Sequence, residues 1–118
     1  MSRFIKGFGY AIKGVCYAFK TQPNFKFHCA ATLIVVVWGW FLMLSASEWL
    51  WILAAVALVM VSELLNTAIE TLVDLVSPEW HVKAGIVKDT AAAAVFIASI
   101  VSAIIGLIIF IPKILHVT

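Results

Sequence analysis

The residues best suited to chemistry lie in one stretch, "VSELLNTAIETLVDLVSPEWHVKAGIVKD", Val61 to Asp89. Glu63, Asn66, Glu70 and Asp74 recur there at spacings of three or four, directly after the apolar run "WLWILAAVALVMV". At about 100° per residue they share one helix face with Thr67, and Glu70 stands roughly 10 Å along the axis from Glu63. Glu79, Trp80 and His81 follow in a "SPEWH" turn, and Lys88 and Asp89 come back toward the same end. Carboxylate oxygens suit Mg²⁺ and a lysine suits phosphate. A nucleotide-and-metal site is the chemistry this set supports, with phosphoryl transfer at the level of lipid headgroups. A solvated helix end is the plainer account; it explains Asp74 well and Glu63 poorly.

The elements that must hold these residues follow from composition. The chain of 118 residues is 64% hydrophobic and 12% charged, with net charge +2 and mean hydropathy +1.12. A soluble domain is expected to be roughly 45–50% apolar and about 25% charged. An integral membrane protein is therefore expected, as a single all-α domain over 1–118. Three spans of about 20 residues leave no room for a separate soluble catalytic domain.

In the N-terminal segment Phe4, Phe8, Ile12, Val15 and Phe19 fall on one side of a helix and Lys6, Lys13 and Lys20 on the other, the pattern of an amphipathic interfacial helix over about 2–21. The lysines interrupt any signal-peptide core, so the chain is expected to start near Met1. Pro23 ends this helix, and "TQPNFKFH" turns toward spans expected at 28–46, 49–70 and 88–111. Trp38 and Trp40 serve packing or anchoring, and Trp49 and Trp51 mark the far interface. Ser77 followed by Pro78 reads as an N-cap with proline in the first turn of the third helix, and Pro112 as its stop. Ala94, Ala98, Ser102 and Gly106 form a small-residue face that allows close helix contact.

The apolar run from Trp49 to Val61 is too short to cross a bilayer, so the span continues to near Ala68 and encloses Glu63 and Asn66. A charge near the middle of a membrane helix costs roughly 2.5–3.5 kcal/mol, less toward the interface, and such residues usually face a protein interior. One three-span chain offers little interior for them, and oligomerisation through the small-residue face would supply it. Arg3, Lys6, Lys13, Lys20, Lys26, Lys83 and Lys88 lie on one side of the expected spans and Lys113 on the other, which puts the N-terminus and the "SPEWH" loop in the cytoplasm.

Other motifs carry no chemistry. "GYAIKGVC", Gly9 to Cys16, has P-loop glycine spacing, but Val15 and Cys16 stand where Lys and Ser/Thr belong. Trp80 is a base-stacking ring or an interfacial anchor. His28, His81 and His116 are too scattered for a metal triad, and Cys16 and Cys29 read as apolar-environment thiols. Nothing calls for nucleic acid.

The run "SELLNTAIETLVDLVSPEWH…KDTAAAAV", with "GYAIKG" and "NFKFH" before it, resembles the signature of the small bacterial membrane lipid kinases, the diacylglycerol kinase and undecaprenol kinase family. The resemblance covers essentially the whole chain. It implies a homotrimer in the bacterial cytoplasmic membrane, with active sites shared between protomers. ATP is the implied co-substrate, Mg²⁺ the cofactor and a membrane lipid alcohol the acceptor. Under it Glu63 matches the general base, and Asn66 joins Glu63 in binding the lipid substrate. Glu70 matches a magnesium ligand, and Arg3, Tyr10, Glu70, Glu79, Trp80, His81, Lys88 and Asp89 match positions around the nucleotide. Gln22 stands where the family usually has a second metal-binding glutamate, so the metal site has one negative charge fewer. Leu75 stands where the diacylglycerol branch tends to carry a basic residue, which favours undecaprenol as the substrate. The competing reading is a small oligomeric transporter or proton-coupled channel with Glu63 as an intramembrane relay.

Overall fold

The computed structural model describes residues 2–117. They form four helices in the order α1 (Arg3–Thr21), α2 (Pro23–Phe41), α3 (Ala46–Val76) and α4 (Val82–Val117), with no strand among the described residues. Three of these, α2, α3 and α4 through His116, are long and apolar enough to cross a membrane. The all-helical, three-span expectation holds.

Each joint between helices follows from local chemistry. The Ser2 hydroxyl accepts the Ile5 N–H and caps α1. Gln22 separates α1 from α2 in an extended conformation, φ −115° and ψ 106°, because the Pro23 ring disfavours helical geometry in the residue before it. The same proline suits the first turn of a helix, where its missing N–H is not needed. Helix α2 therefore starts at Pro23, earlier than the expected span at 28, and it also ends earlier, at Phe41.

At the end of α2, Met43 adopts φ 56°. The N–H of Leu44 bonds the Gly39 carbonyl and that of Met43 the Trp40 carbonyl, a Schellman closure with methionine in the position glycine usually takes. Helix α3 then opens with a capping box: Ser45 Oγ accepts from Glu48 N–H at 3.2 Å, and Glu48 Oε1 accepts from Ser45 N–H at 2.8 Å. Lys113 Nζ lies 3.1 Å from the same Glu48 oxygen and ties the far end of α4 to the start of α3.

Two expectations about the ends of α4 are corrected. Ser77 closes α3, its N–H bonding Val73 O at 2.7 Å, and helix α4 starts at Val82. The ring of Pro78 ends the preceding helix here instead of beginning the next. His81 takes the capping role, with Nδ1 accepting the Lys83 N–H at 3.0 Å. Pro112 lies inside α4; the one hydrogen bond it deletes, near the helix end, is a defect that membrane helices tolerate.

Helices α3 and α4 pack along much of their length, with α2 and α1 against α3. Ala55, Val59, Ala91, Val95 and Ala98 are buried, and Ser102 Oγ donates to Ala55 O at 2.9 Å. The small-residue face is thus partly used within the chain: Ala98 is buried while Ala94 stays exposed. At the other end Leu44, Ile52 and Ile109 form a cluster covered by Trp49 and Phe110. Large apolar side chains such as Phe41, Leu53 and Ile108 point outward, as a lipid-facing surface requires.

Candidate active site

The polar stripe on α3 runs from buried to exposed. Glu63 is 2% exposed, Asn66 8% and Thr67 4%, whereas Glu70 is half-buried and Asp74 exposed. The single chain therefore encloses Glu63 and Asn66 by itself, and the expectation that this needs neighbouring copies is corrected. Packing of α1 and α2 over α3 supplies the cover, with Ala18 and Phe25 both wholly buried.

Within the stripe the side chains are linked in sequence. The Thr67 hydroxyl donates to the Glu63 carbonyl oxygen at 2.9 Å, which satisfies it on the helix's own backbone. Asn66 Nδ2 donates to Glu70 Oε1 at 3.2 Å. Asn66 Oδ1 and Glu63 Oε1 are buried without a hydrogen-bond partner, in a setting where leaving a polar atom unpaired costs about 1–3 kcal/mol. Buried acceptors left open in this way suit a site that a ligand completes.

His28 is the residue that sequence reasoning missed. Its Nε2 lies 3.3 Å from Glu63 Oε1, at ion-pair distance though outside hydrogen-bonding geometry. Nothing in local spacing joins positions 28 and 63. The available signal was the antiparallel hairpin of α2 and α3, which brings position 28 to within about one helical turn of the level of position 63.

Where α3 leaves the packed region, Lys88 Nζ meets Asp74 Oδ1 at 2.6 Å, so the lysine pairs across to α3. Its sequence neighbour Asp89 is exposed. Arg3, Tyr10, Glu79, Trp80 and His81 are all exposed, Trp80 at 84%. No hydrogen bond or ion pair joins these five to the stripe among the described residues. Gln22 is half-buried at the α1–α2 joint, with no bond to Glu70 among them.

The donor set fits a hard cation. Glu70 spends one oxygen on the Asn66 amide and keeps acceptor capacity, and the unpaired Asn66 Oδ1 lies on the same face. Among the described residues no three His, Cys, Asp or Glu gather into a cage. Mg²⁺ is commonly held by one or two carboxylates together with substrate phosphates.

An apolar groove of about 300 Å³ opens between α2, α3 and α4, lined by His28, Thr32, Val56, Ser99, Ser102 and Gly106 among others. It meets the stripe at His28.

A buried carboxylate on a membrane helix serves a kinase or a proton carrier equally well; the comparisons decide between them. The prokaryotic diacylglycerol kinase family model matches residues 9–110. The undecaprenol kinase of Bacillus subtilis is 42% identical over 113 residues, covering 96% of this chain and 92% of that protein. A diacylglycerol kinase of Synechocystis is 42% identical over 109 residues, 92% of this chain and 62% of that protein. The diacylglycerol kinase of Escherichia coli K12 is 39% identical over 103 residues, 87% of this chain and 84% of that protein. A match of this extent leaves one conclusion: the chain belongs to the prokaryotic diacylglycerol kinase family and is a membrane lipid kinase.

Proposed function

We propose that this protein transfers the γ-phosphoryl group of Mg²⁺-bound ATP to the hydroxyl of a membrane lipid alcohol at the cytoplasmic face of a bacterial inner membrane. The observation that carries this reading is the burial gradient along α3, from Glu63 at 2% exposure to the exposed Asp74. A lipid hydroxyl cannot leave the bilayer and a triphosphate cannot enter it. One helix that carries acceptor groups from its packed interior out to water offers each substrate partners at its own depth.

In this reading Glu63 takes the proton from the lipid hydroxyl as the oxygen attacks the γ-phosphorus and ADP departs. Asn66 orients the hydroxyl and holds Glu70. Glu70 would hold the metal, with Gln22 as a weaker neutral neighbour, and bound Mg²⁺ would neutralise charge on the phosphates. Lys88 and Asp89 serve the phosphates and their metal.

The N-terminal helix lies at the headgroup level with its apolar face in the membrane. Exposure of Phe4 at 77%, Phe8 at 60% and Ile12 at 64% supports this. The active form is a homotrimer with shared sites: Arg3, Tyr10, Glu79 and Trp80 stay apart from the stripe within one chain, so a neighbour's copies complete it. Undecaprenol is the favoured acceptor. Identity is 42% to relatives named for either substrate, so the preference rests on the fuller match to the undecaprenol kinase and on Leu75.

The test is phosphate transfer by purified protein in mixed micelles with Mg²⁺-ATP and either alcohol. A higher kcat/KM for undecaprenol is expected. A higher value for diacylglycerol reverses the substrate assignment, and no phospholipid from either sinks the reading.

A further inference from the structure

We propose that His28 is a positioning residue for the base: it orients the Glu63 carboxylate and relays to the outside the proton that Glu63 collects. The inference rests on the lipid-kinase reading above and deepens it.

Three observations carry it. The Glu63 side chain is 2% exposed and that of His28 is 19% exposed, with Nε2 and Oε1 3.3 Å apart. Glu63 Oε1 has no hydrogen-bond partner, so His28 is the basic group at hand to receive a proton from it. His28 lines the groove between α2, α3 and α4, and Glu63 does not.

A carboxylate that has accepted a proton in an enclosed site must lose it before the next turnover. The balance is simple. The lipid oxygen forms the new bond to the γ-phosphorus as the phosphorus–oxygen bond to ADP breaks and ADP leaves, and the proton of the lipid hydroxyl passes to Glu63. It then passes to neutral His28, Glu63 returns to carboxylate, and His28 releases the proton to water.

The charged and titratable groups around the pair are few. Helix α3 contributes Glu63 itself and Glu70 further along the stripe. Helix α4 contributes only the Ser99 and Ser102 hydroxyls at the groove. The α1 residues lining the cleft against α3 include one titratable group, Tyr17. On α2 itself Lys26 and Cys29 flank His28, and Lys26 lies over the Phe19 ring.

The experiment measures turnover for wild type, His28→Gln and His28→Ala, alongside ¹⁵N imidazole spectra of His28 at one fixed pH in wild type and in Glu63→Gln. His28→Gln is expected to lower kcat about tenfold or more with an unchanged KM for ATP. Added imidazole is expected to restore part of the His28→Ala rate. In the spectra, Glu63→Gln is expected to move the His28 Nε2 resonance. A rate loss without imidazole rescue overturns the relay, as does an unchanged kcat. An unmoved Nε2 resonance overturns the pairing, and that arm needs no His28 variant to fold. Wild-type protein inactive on both alcohols counts against the kinase reading, while the spectra still judge the pair.

Discussion

The Asn66 amide donates to Glu70 Oε1 across one turn of α3, at 3.2 Å, and so joins the buried part of the polar stripe to the part that reaches water. Through this bond the orientation of a carboxylate suited to a metal depends on a residue suited to the lipid hydroxyl. Asn66→Ala is expected to raise the Mg²⁺ concentration for half-maximal activity about tenfold or more, the usual cost of losing a group that orients a metal ligand. Titration of Mg²⁺ at saturating ATP measures it, and an unshifted curve would free Glu70 from Asn66.

Lys88 and Asp74 are paired at 2.6 Å but are 41% and 66% exposed. Water and salt screen an exposed pair of this kind, so stapling α4 to α3 is too weak an effect to be the lysine's main role. Lys88→Ala is expected to raise KM for ATP severalfold without altering lipid affinity, while Asp74→Asn changes it little. Equal effects of the two substitutions, confined to thermal stability, would reduce Lys88 to a structural partner.

A neutral amide oxygen can coordinate Mg²⁺ without adding charge, and hard cations gain affinity with ligand charge. Gln22 is fixed at the joint between α1 and α2 by the proline after it, half-buried. If its side chain serves the metal, Gln22→Glu lowers the Mg²⁺ requirement and Gln22→Ala raises it. Superimposable Mg²⁺ titrations of the two variants and wild type would remove Gln22 from the site.

Gly39 marks a close approach of α2 to Trp49 in the first turn of α3. A Cβ there would stand 2.8 Å from Trp49 Cη2 and 2.9 Å from Leu44 Cδ1. Alanine gains about 0.5–1 kcal/mol over glycine inside a helix, but overpacking a filled site costs about 1–3 kcal/mol, so the clash is expected to win. Gly39→Ala should unfold at lower temperature in detergent while the folded fraction keeps normal kcat. A raised Tm would show that Trp49 moves aside freely.

Much of this was legible before the fold was seen. Glu63, Asn66, Glu70 and Asp74 fall on one face because helical periodicity is a local property, and the apolar runs alone announce three spans. Pro112 and the Ser77–Pro78 pair misled because a proline's effect depends on which helix the neighbouring backbone continues. That choice was made at His81, whose ring caps α4. The burial of Glu63 within one chain depends on α1 and α2 folding over α3. His28 reaches Glu63 only through that tertiary packing, which local spacing does not encode.

The central claim, that a buried carboxylate on α3 drives phosphoryl transfer to a lipid, is tested most directly by Glu63→Gln. The substitution keeps the shape and removes the proton acceptor. Single-turnover transfer of γ-³²P from ATP to undecaprenol should be abolished, while ATP binding and oligomeric state stay close to wild type. A variant that binds ATP normally and retains more than about a tenth of wild-type kcat would contradict the account, because a lost general base is expected to cost about 10²–10⁴ in rate.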